Sequence, residues 1–337
     1  MSQNHPYRSF EVPSNAPFEL KPSPGKGWGA FSTTKIDRGA VILKEKPLFV
    51  IRKPHEQITE EDVWTAFQHL APSAKQHFLN LRDNACGPFT HMTKAFAENS
   101  FEVSNRTWLG ASISPVHGLF LLHSRFNHSC IPNSKIPTNS DEIVTSFATR
   151  DIMAGEEITF CYNDDFECRN RHERHQALRF ACNCKACLIG TPFQQLSDIR
   201  RTLIRGLNYL THGVDVNGQR QEGPTSPIIV DRELKKAAEN FCIPLSSRLI
   251  YELLVAYLLE EEGLLDDLRL ERLNPTLWQI TGSFHTESNA SIARLAMKQK
   301  SWLEKFCMAF GLYGRADVAD HVVSKGLRML RGLSIES

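Results

Sequence analysis

Three cysteines crowd together midway along the chain, in the pattern Cys182-x-Cys184-x-x-Cys187. This spacing is too tight for disulfides among the three, but it suits thiolate ligands of a metal such as zinc. A closed tetrahedral zinc site needs four ligands, so a fourth thiolate must come from elsewhere in the chain. This pattern constrains the fold more than any other feature, because it requires a separate segment to return to these cysteines.

The composition is that of a chain that can bury a core and carries almost no net charge. Of the 337 residues, 41% are hydrophobic and 23% are charged, and the formal net charge is +1. This balance argues against disorder, against a strongly basic nucleic-acid binder and against an acidic tail protein. At about 100–200 residues per domain, the length corresponds to about two domains.

The sequence gives no sign of export or membrane insertion. No apolar run approaches the roughly 18 residues that a membrane span needs, and residues 1–10 lack the hydrophobic core of a signal peptide. We therefore expect the protein in the nucleus and/or cytoplasm, with no membrane partner and no disulfide framework among its nine cysteines.

Turn signals and hydrophobic periodicity predict small sheets that are interrupted and then followed by helices. Residues 1–17 form an irregular arm with three prolines, and short β-type segments begin at Phe18. Residues 56–101 change to helical spacing, with Thr59 as a helix N-cap and Asp62 three residues on. Strands return up to Tyr162, and helical periodicity follows Cys187. Short strands between Gly and Pro turns favour an α+β fold of small sheets over a doubly wound fold.

Four local signals carry chemistry, and each has an ordinary explanation when taken alone. The first is the turn Gly25-Lys26-Gly27-Trp28-Gly29, whose glycines let the backbone approach a ligand. The second is the polar run Asn127-His128-Ser129-Cys130-Ile131-Pro132-Asn133. The third is the cysteine cluster, and the fourth is Tyr162 at the end of the predicted strand. A turn, a surface loop and a core tyrosine would explain three of them without any function.

Taken in this order, the four signals resemble those of the SET-domain methyltransferases. The likeness is to SMYD-like and fungal SET proteins, whose SET domain is split by a helical insertion, and it covers residues 18–188, about half the chain. It implies a β-rich SET fold of small sheets with a knot-like C-terminal segment, a helical insertion and an all-helical C-terminal region. The insertion holds one cysteine, Cys86, too few for a MYND zinc finger.

The resemblance implies domain boundaries and a metal site. The boundaries are an arm at 1–17, a SET domain at 18–165 with its insertion at 56–101, a post-SET zinc-binding segment at 166–190 and a helical domain at 191–337. Cys130 matches the missing fourth zinc ligand, beside Cys182, Cys184 and Cys187.

The resemblance also implies an S-adenosylmethionine site. Tyr162 matches the catalytic tyrosine beside the transferring methyl group, and Phe180 matches an aromatic that stacks on adenine. The residues that match cofactor contacts are Lys26, Gly27, Trp28, Asn99, Asn127, His128, Tyr162 and Phe180.

The implied activity is S-adenosylmethionine-dependent N-methylation of protein lysines, in a histone or another protein, by a monomer without direct nucleic-acid contact. One position departs from the SMYD-like pattern, because Leu178 replaces an aromatic that helps to wall the lysine channel. Two alternatives therefore stay open: a SET-fold enzyme with a small-molecule or other non-lysine acceptor, and a binding or scaffold protein without turnover. A nucleic-acid-binding zinc finger is disfavoured, since no second ligand pair follows Cys187.

Overall fold

The computed structural model describes residues 5–83, 87–104, 107–108, 111–112, 115–137, 143–178, 180–212, 255–256, 258–267 and 269. The chain divides into two compact units at the junction of Cys161 and Tyr162. Of the predicted helical domain, residues 213–254 and 270–337 lie outside the described residues, as does Cys86 of the insertion. Within the described ranges, no helix is both long and apolar enough to cross a membrane.

Short strands and helices alternate through the first unit, so the predicted α+β class is confirmed. The strands are β1 (Phe18–Ser23), β2 (Gly27–Ser32), β3 (Val41–Glu45), β4 (Phe49–Ile51), β5 (Arg82–Asp83), β6 (Gly87–Pro88), β7 (Ser100–Ser104), β8 (Thr107–Trp108), β9 (Ala111–Ser112), β10 (Val116–Leu119), β11 (Asn127–His128), β12 (Ser134–Lys135), β13 (Val144–Ala148) and β14 (Glu157–Phe160). The helices are α1 (Glu60–Gln68), α2 (Pro72–Leu79) and α3 (Met92–Asn99). The sheets are small, in the orders β1-β2-β14-β11, β4-β10-β7 and β12-β13-β3, with the two hairpins β5-β6 and β8-β9.

The four-stranded sheet holds two of the four sequence signals and the strand that precedes a third. Strand β14 pairs antiparallel with β2, and it pairs in parallel with β11 through Asn127 opposite Thr159 and His128 opposite Phe160. Ala30, Phe126 and Ile158 are fully buried and belong to the main hydrophobic core. The glycine-rich turn, the Asn-His pair and the strand leading to Tyr162 are therefore positioned by one sheet and its core.

Helix α1 begins where the sequence predicts. Thr59 caps α1: its hydroxyl accepts a hydrogen bond from the Asp62 N–H at 3.3 Å, and the Asp62 carboxylate accepts one from the Thr59 N–H at 2.9 Å. Phe67 of α1 packs against Phe78 of α2, with ring centroids 5.4 Å apart. A third helix, α3, lies in the same insertion and ends at Asn99.

Replacing Thr59 with alanine should lower the free energy of unfolding by about 1 kcal/mol, because the cap hydroxyl satisfies an otherwise orphaned N–H. Chemical denaturation measures this change. Thr65 is an exposed threonine inside the same helix, and its replacement with alanine is the matched control. Thr65→Ala should be neutral or slightly stabilising, because alanine has the higher helix propensity. Equal losses for the two variants would contradict the capping role of Thr59.

The same capping box predicts that the free energy of unfolding depends on pH. Hydrogen bonds from the Lys53 ammonium and from the Thr59 N–H and hydroxyl lower the pKa of Asp62 to about 2. A depressed folded-state pKa contributes stability above the unfolded value of about 3.9, and this contribution is lost as the pH falls from there to about 2. An NMR titration of the carboxyl carbon should find this low midpoint in the wild type and a higher one in Lys53→Met.

The described part of the second unit contains helices and a buried ion pair. Its named helices are α4 (Arg171–Ala177) and α5 (Pro192–His212), and residues 258–262 are also helical. Arg201 of α5 is fully buried and donates to Glu262 Oε1 at 3.0 Å and to the Phe166 carbonyl at 2.6 Å. Leu203 and Leu207 lie buried on α5, as their helical spacing predicts.

Candidate functional site

The glycine-rich turn is held against β14 by a salt bridge. Gly25 and Gly27 have φ values of 74° and 79°, in the left-handed region that favours glycine. The turn directs Lys26 across the sheet, where its Nζ lies 2.9 Å from Glu157 Oε2. The next residue that carries a side chain, Trp28, is 7% exposed and stacks on His5 of the N-terminal arm at a centroid distance of 4.6 Å.

Asn127 is fixed by the same carboxylate. Its Nδ2 donates to Glu157 Oε1 at 2.7 Å and to the Trp28 carbonyl at 3.1 Å. The amide therefore joins the glycine-rich turn to β14, and its orientation is set by two acceptors.

The second asparagine of the polar run has a structural role. Asn133 is buried, its Nδ2 donates to the Glu157 carbonyl at 2.8 Å, and its Oδ1 accepts from the Thr159 N–H at 2.8 Å. These two bonds replace ladder hydrogen bonds along β14 and fix the loop that carries Cys130.

Asn99 has its side chain fully used inside the first unit. Its Nδ2 donates to the Ala95 carbonyl at 2.7 Å, and its Oδ1 accepts a hydrogen bond from the Arg125 guanidinium. That guanidinium also lies over the ring of Tyr7, 4.3 Å from its centroid. The assignment of Asn99 as a cofactor contact stays a prediction, and these partners leave its side chain little freedom to serve a ligand.

Two aromatic residues of the second unit are exposed side by side. Tyr162 and Phe180 are 43% and 45% exposed, and their rings meet edge to face with centroids 6.2 Å apart. Two exposed aromatic rings in contact form a small apolar patch, so this pair is a candidate for ligand contact.

The cysteine-rich segment is braced by α4. The N–H groups of Cys187 and Leu188 both donate to the Cys184 carbonyl, at 2.8 and 3.2 Å. Arg171 Nε donates to the Cys187 carbonyl at 2.8 Å, and buried Arg174 donates to the Ala186 carbonyl at 2.9 Å. Two arginines of one short helix thus hold the turn that carries the last cysteine.

Four sulfur atoms come together as the cysteine spacing requires. The Sγ atoms of Cys130, Cys182, Cys184 and Cys187 all lie within 4.8 Å of one another. Zn–S bonds of about 2.3 Å in tetrahedral geometry put sulfurs roughly 3.8 Å apart, so the group fits one zinc ion. His128 Nε2 lies 3.3 Å from the Cys130 sulfur, where a ring N–H can support a thiolate ligand.

The matching protein-family model, described as the SET domain, covers residues 27–163. Residues 27–163 of the chain are therefore similar to the SET domain. The matched residues include the four-stranded sheet from β2 onward, the polar run and Tyr162.

Several curated proteins resemble parts of this chain. The histone-lysine N-methyltransferase Set5 of Schizosaccharomyces pombe is 32% identical over 190 residues, which is 55% of this chain and 54% of that protein. The human protein-lysine N-trimethyltransferase SMYD5 is 44% identical over 78 residues, 21% of this chain and 18% of that protein. The human histone-lysine N-methyltransferase SMYD3 is 34% identical over 122 residues, 33% of this chain and 27% of that protein. The chain thus spans about half of the Set5 relative and less of the others.

The four-stranded sheet brings together most of the predicted site residues of the first unit. Lys26, Gly27 and Trp28 lie in or beside β2, and Asn127 and His128 form β11 of the same sheet. Asn99 lies apart from this sheet, at the end of α3. Leu178, which departs from the SMYD-like pattern, is buried at the end of α4.

Two residues of this arrangement do not figure among the predicted contacts. Glu157 bonds both Lys26 and Asn127, and Asn133 fastens β14. The sequence could have indicated Asn133, because this residue ends the polar run. Glu157 carries no such signal, since two adjacent glutamates after a turn, here Glu156 and Glu157, are typical of a solvated face.

Proposed function

We propose that the protein is an S-adenosylmethionine-dependent N-methyltransferase that acts on protein lysines. One observation carries the proposal: a SET domain at residues 27–163 whose Asn127–His128 strand pairs with the strand that leads to Tyr162. The relatives named above are lysine methyltransferases by name, which supports a protein substrate and includes histones among the candidates.

The side chains of the first unit fit an amino-acid ligand. Asn127 uses its Nδ2 on protein acceptors, which leaves its Oδ1 to accept from an ammonium group. When bound, S-adenosylmethionine supplies a methyl group on a sulfonium centre. In the proposal Lys26, Gly27 and Trp28 lie along this ligand, Asn127 and His128 hold its amino-acid part and adenine, and Phe180 stacks on the adenine.

The substrate lysine must lose its proton before it can attack. Its unperturbed pKa is about 10.4, so a neutral amine is scarce at pH 7. A channel that strips water from the side chain lowers this pKa, and no protein base is then required. Tyr162 orients the amine through its hydroxyl, and alignment of the two reactants provides much of the rate.

We assign zinc to the four-cysteine group as a structural ion. Four thiolates fill a tetrahedral site and leave no position open for water, so the ion has no catalytic step. Its role is to fix the segment that carries Phe180, two residues before Cys182.

A methylation assay tests the proposal. Purified protein is incubated with labelled S-adenosylmethionine, core histones and a peptide array, and the products are identified by mass spectrometry. We expect label on lysine side chains, and the mass shifts give the number of methyl groups. A parallel incubation with cell extract distinguishes the acceptors. If label appears only in small molecules, the acceptor is not a protein lysine, an outcome that Leu178 allows. If calorimetry finds no cofactor binding, the protein is a scaffold without turnover.

A further inference from the structure

The carboxylate of Glu157 bridges two cofactor-site candidates. Its Oε2 lies 2.9 Å from Lys26 Nζ, and its Oε1 accepts from Asn127 Nδ2 at 2.7 Å. The glutamate side chain is only 17% exposed, and it stands on β14 opposite Phe31 of β2. Each oxygen therefore has its own donor in a partly desolvated position, where charge-assisted bonds are strong.

This bridge determines which atom of the Asn127 amide, Nδ2 or Oδ1, points away from the protein. Both neighbours of Nδ2, the Glu157 carboxylate and the Trp28 carbonyl, are acceptors only, so the nitrogen must face them. The Oδ1 atom accepts no hydrogen bond from the described residues of the chain. We propose that Glu157 is a positioning residue that locks Asn127 with its acceptor toward the cofactor's amino-acid part. This inference rests on the proposed function.

Gly29 gives independent support from steric fit. A Cβ atom on Gly29 would lie 2.6 Å from Glu157 Oε1 and 2.8 Å from Asn127 Nδ2. The φ of Gly29 is outside the left-handed region, so its backbone conformation is one that alanine adopts readily. The glycine is thus required by the carboxylate–amide pair itself and not by the turn.

Glutamine at position 157 would break the lock with little change of shape. Its single side-chain oxygen can take the position of Oε1, which faces Asn127, or that of Oε2, which faces Lys26, but not both positions. Its NH₂ group would face the remaining donor, so either the amide of Asn127 turns or the Lys26 contact is lost.

The test compares two ligands that differ in the group that Asn127 reads. S-adenosylhomocysteine carries the amino-acid part, and methylthioadenosine lacks it. Measured by calorimetry, Glu157→Gln should weaken the binding of S-adenosylhomocysteine about tenfold or more and leave the binding of methylthioadenosine unchanged. Gly29→Ala should give the same selective loss through displacement of the same pair. A general loosening of the site would weaken both ligands alike.

Two matched variants control for charge and for the added methyl group. Glu19→Gln removes an exposed carboxylate on the neighbouring strand β1, where Glu19 pairs only with Lys21 among the described residues. Gly87→Ala adds a Cβ where nothing lies within 4 Å. Both should bind the two ligands as the wild type does, and thermal melts confirm that each variant is folded.

The outcomes separate this inference from the function on which it rests. A wild type that binds neither ligand overturns the proposed function. Suppose that the wild type binds both ligands. If Glu157→Gln then has the wild-type affinities, or loses affinity equally for both ligands, only the positioning role of Glu157 is overturned. If Gly29→Ala does not fold, the ligand selectivity of Glu157→Gln decides.

Discussion

Tyr162→Phe should lower turnover about 100-fold while cofactor binding survives, because only an oriented hydroxyl is removed. The aromatic ring stays, and with it the edge-to-face contact with Phe180 at 6.2 Å. The lysine amine then loses the group that aligns it with the methyl, and the loss falls on kcat rather than on cofactor affinity. Steady-state methyl transfer to a histone-derived peptide measures kcat, and calorimetry with S-adenosylhomocysteine measures the cofactor affinity.

A second Tyr-to-Phe change controls for the loss of a hydroxyl as such. Tyr7 is 1% exposed, and its hydroxyl accepts from the Arg82 N–H at 2.9 Å. Tyr7→Phe should lower the melting temperature, because it leaves a partly buried N–H without this partner, and the folded fraction should turn over as the wild type does. If Tyr162→Phe keeps full turnover, Tyr162 has no part in the reaction. If both variants lose turnover in step with stability, the effect of Tyr162 is structural.

Features encoded by neighbouring residues could be predicted from the sequence. The capping box of α1 depends on Thr59 and Asp62, which are three residues apart, and the structure places both as expected. The match of residues 27–163 to the SET domain could be expected from motifs that lie in one order along the chain, and the α+β class could be expected from the alternation of turns and periodicity.

Features that depend on distant partners and lie outside the recognised motifs could not be predicted. Helix α3 has no side-chain cap of its own; the N–H groups of Met92 and Thr93 donate to Glu60 of α1 at 2.7 and 2.9 Å. Strand β14 ends at Phe160, although its β-forming residues run on to Tyr162. The role of Glu157 depends on the parallel register of β14 with β11, which no local pattern specifies.

The four-cysteine group carries the other large expected effect. Cys130→Ser should abolish zinc binding, because a serine hydroxyl is not a ligand of structural zinc and three thiolates do not close the site. Binding of structural zinc contributes to folding free energy, so its loss should lower the melting temperature by about 10 °C. Elemental analysis of the purified protein should find about one zinc per wild-type chain and almost none in the variant.

Cys168→Ser distinguishes loss of a metal ligand from loss of a buried thiol. Cys168 is as buried as Cys130 but lies outside the four-sulfur group, and burial raises its pKa to about 12, so it stays a neutral thiol. Asn208 Nδ2 lies 3.4 Å from its sulfur and can donate to a serine oxygen in its place. This variant should keep its zinc and most of its stability. Full zinc content in Cys130→Ser would mean that the ion is held without Cys130, and the fourth ligand would then have to be sought elsewhere in the chain.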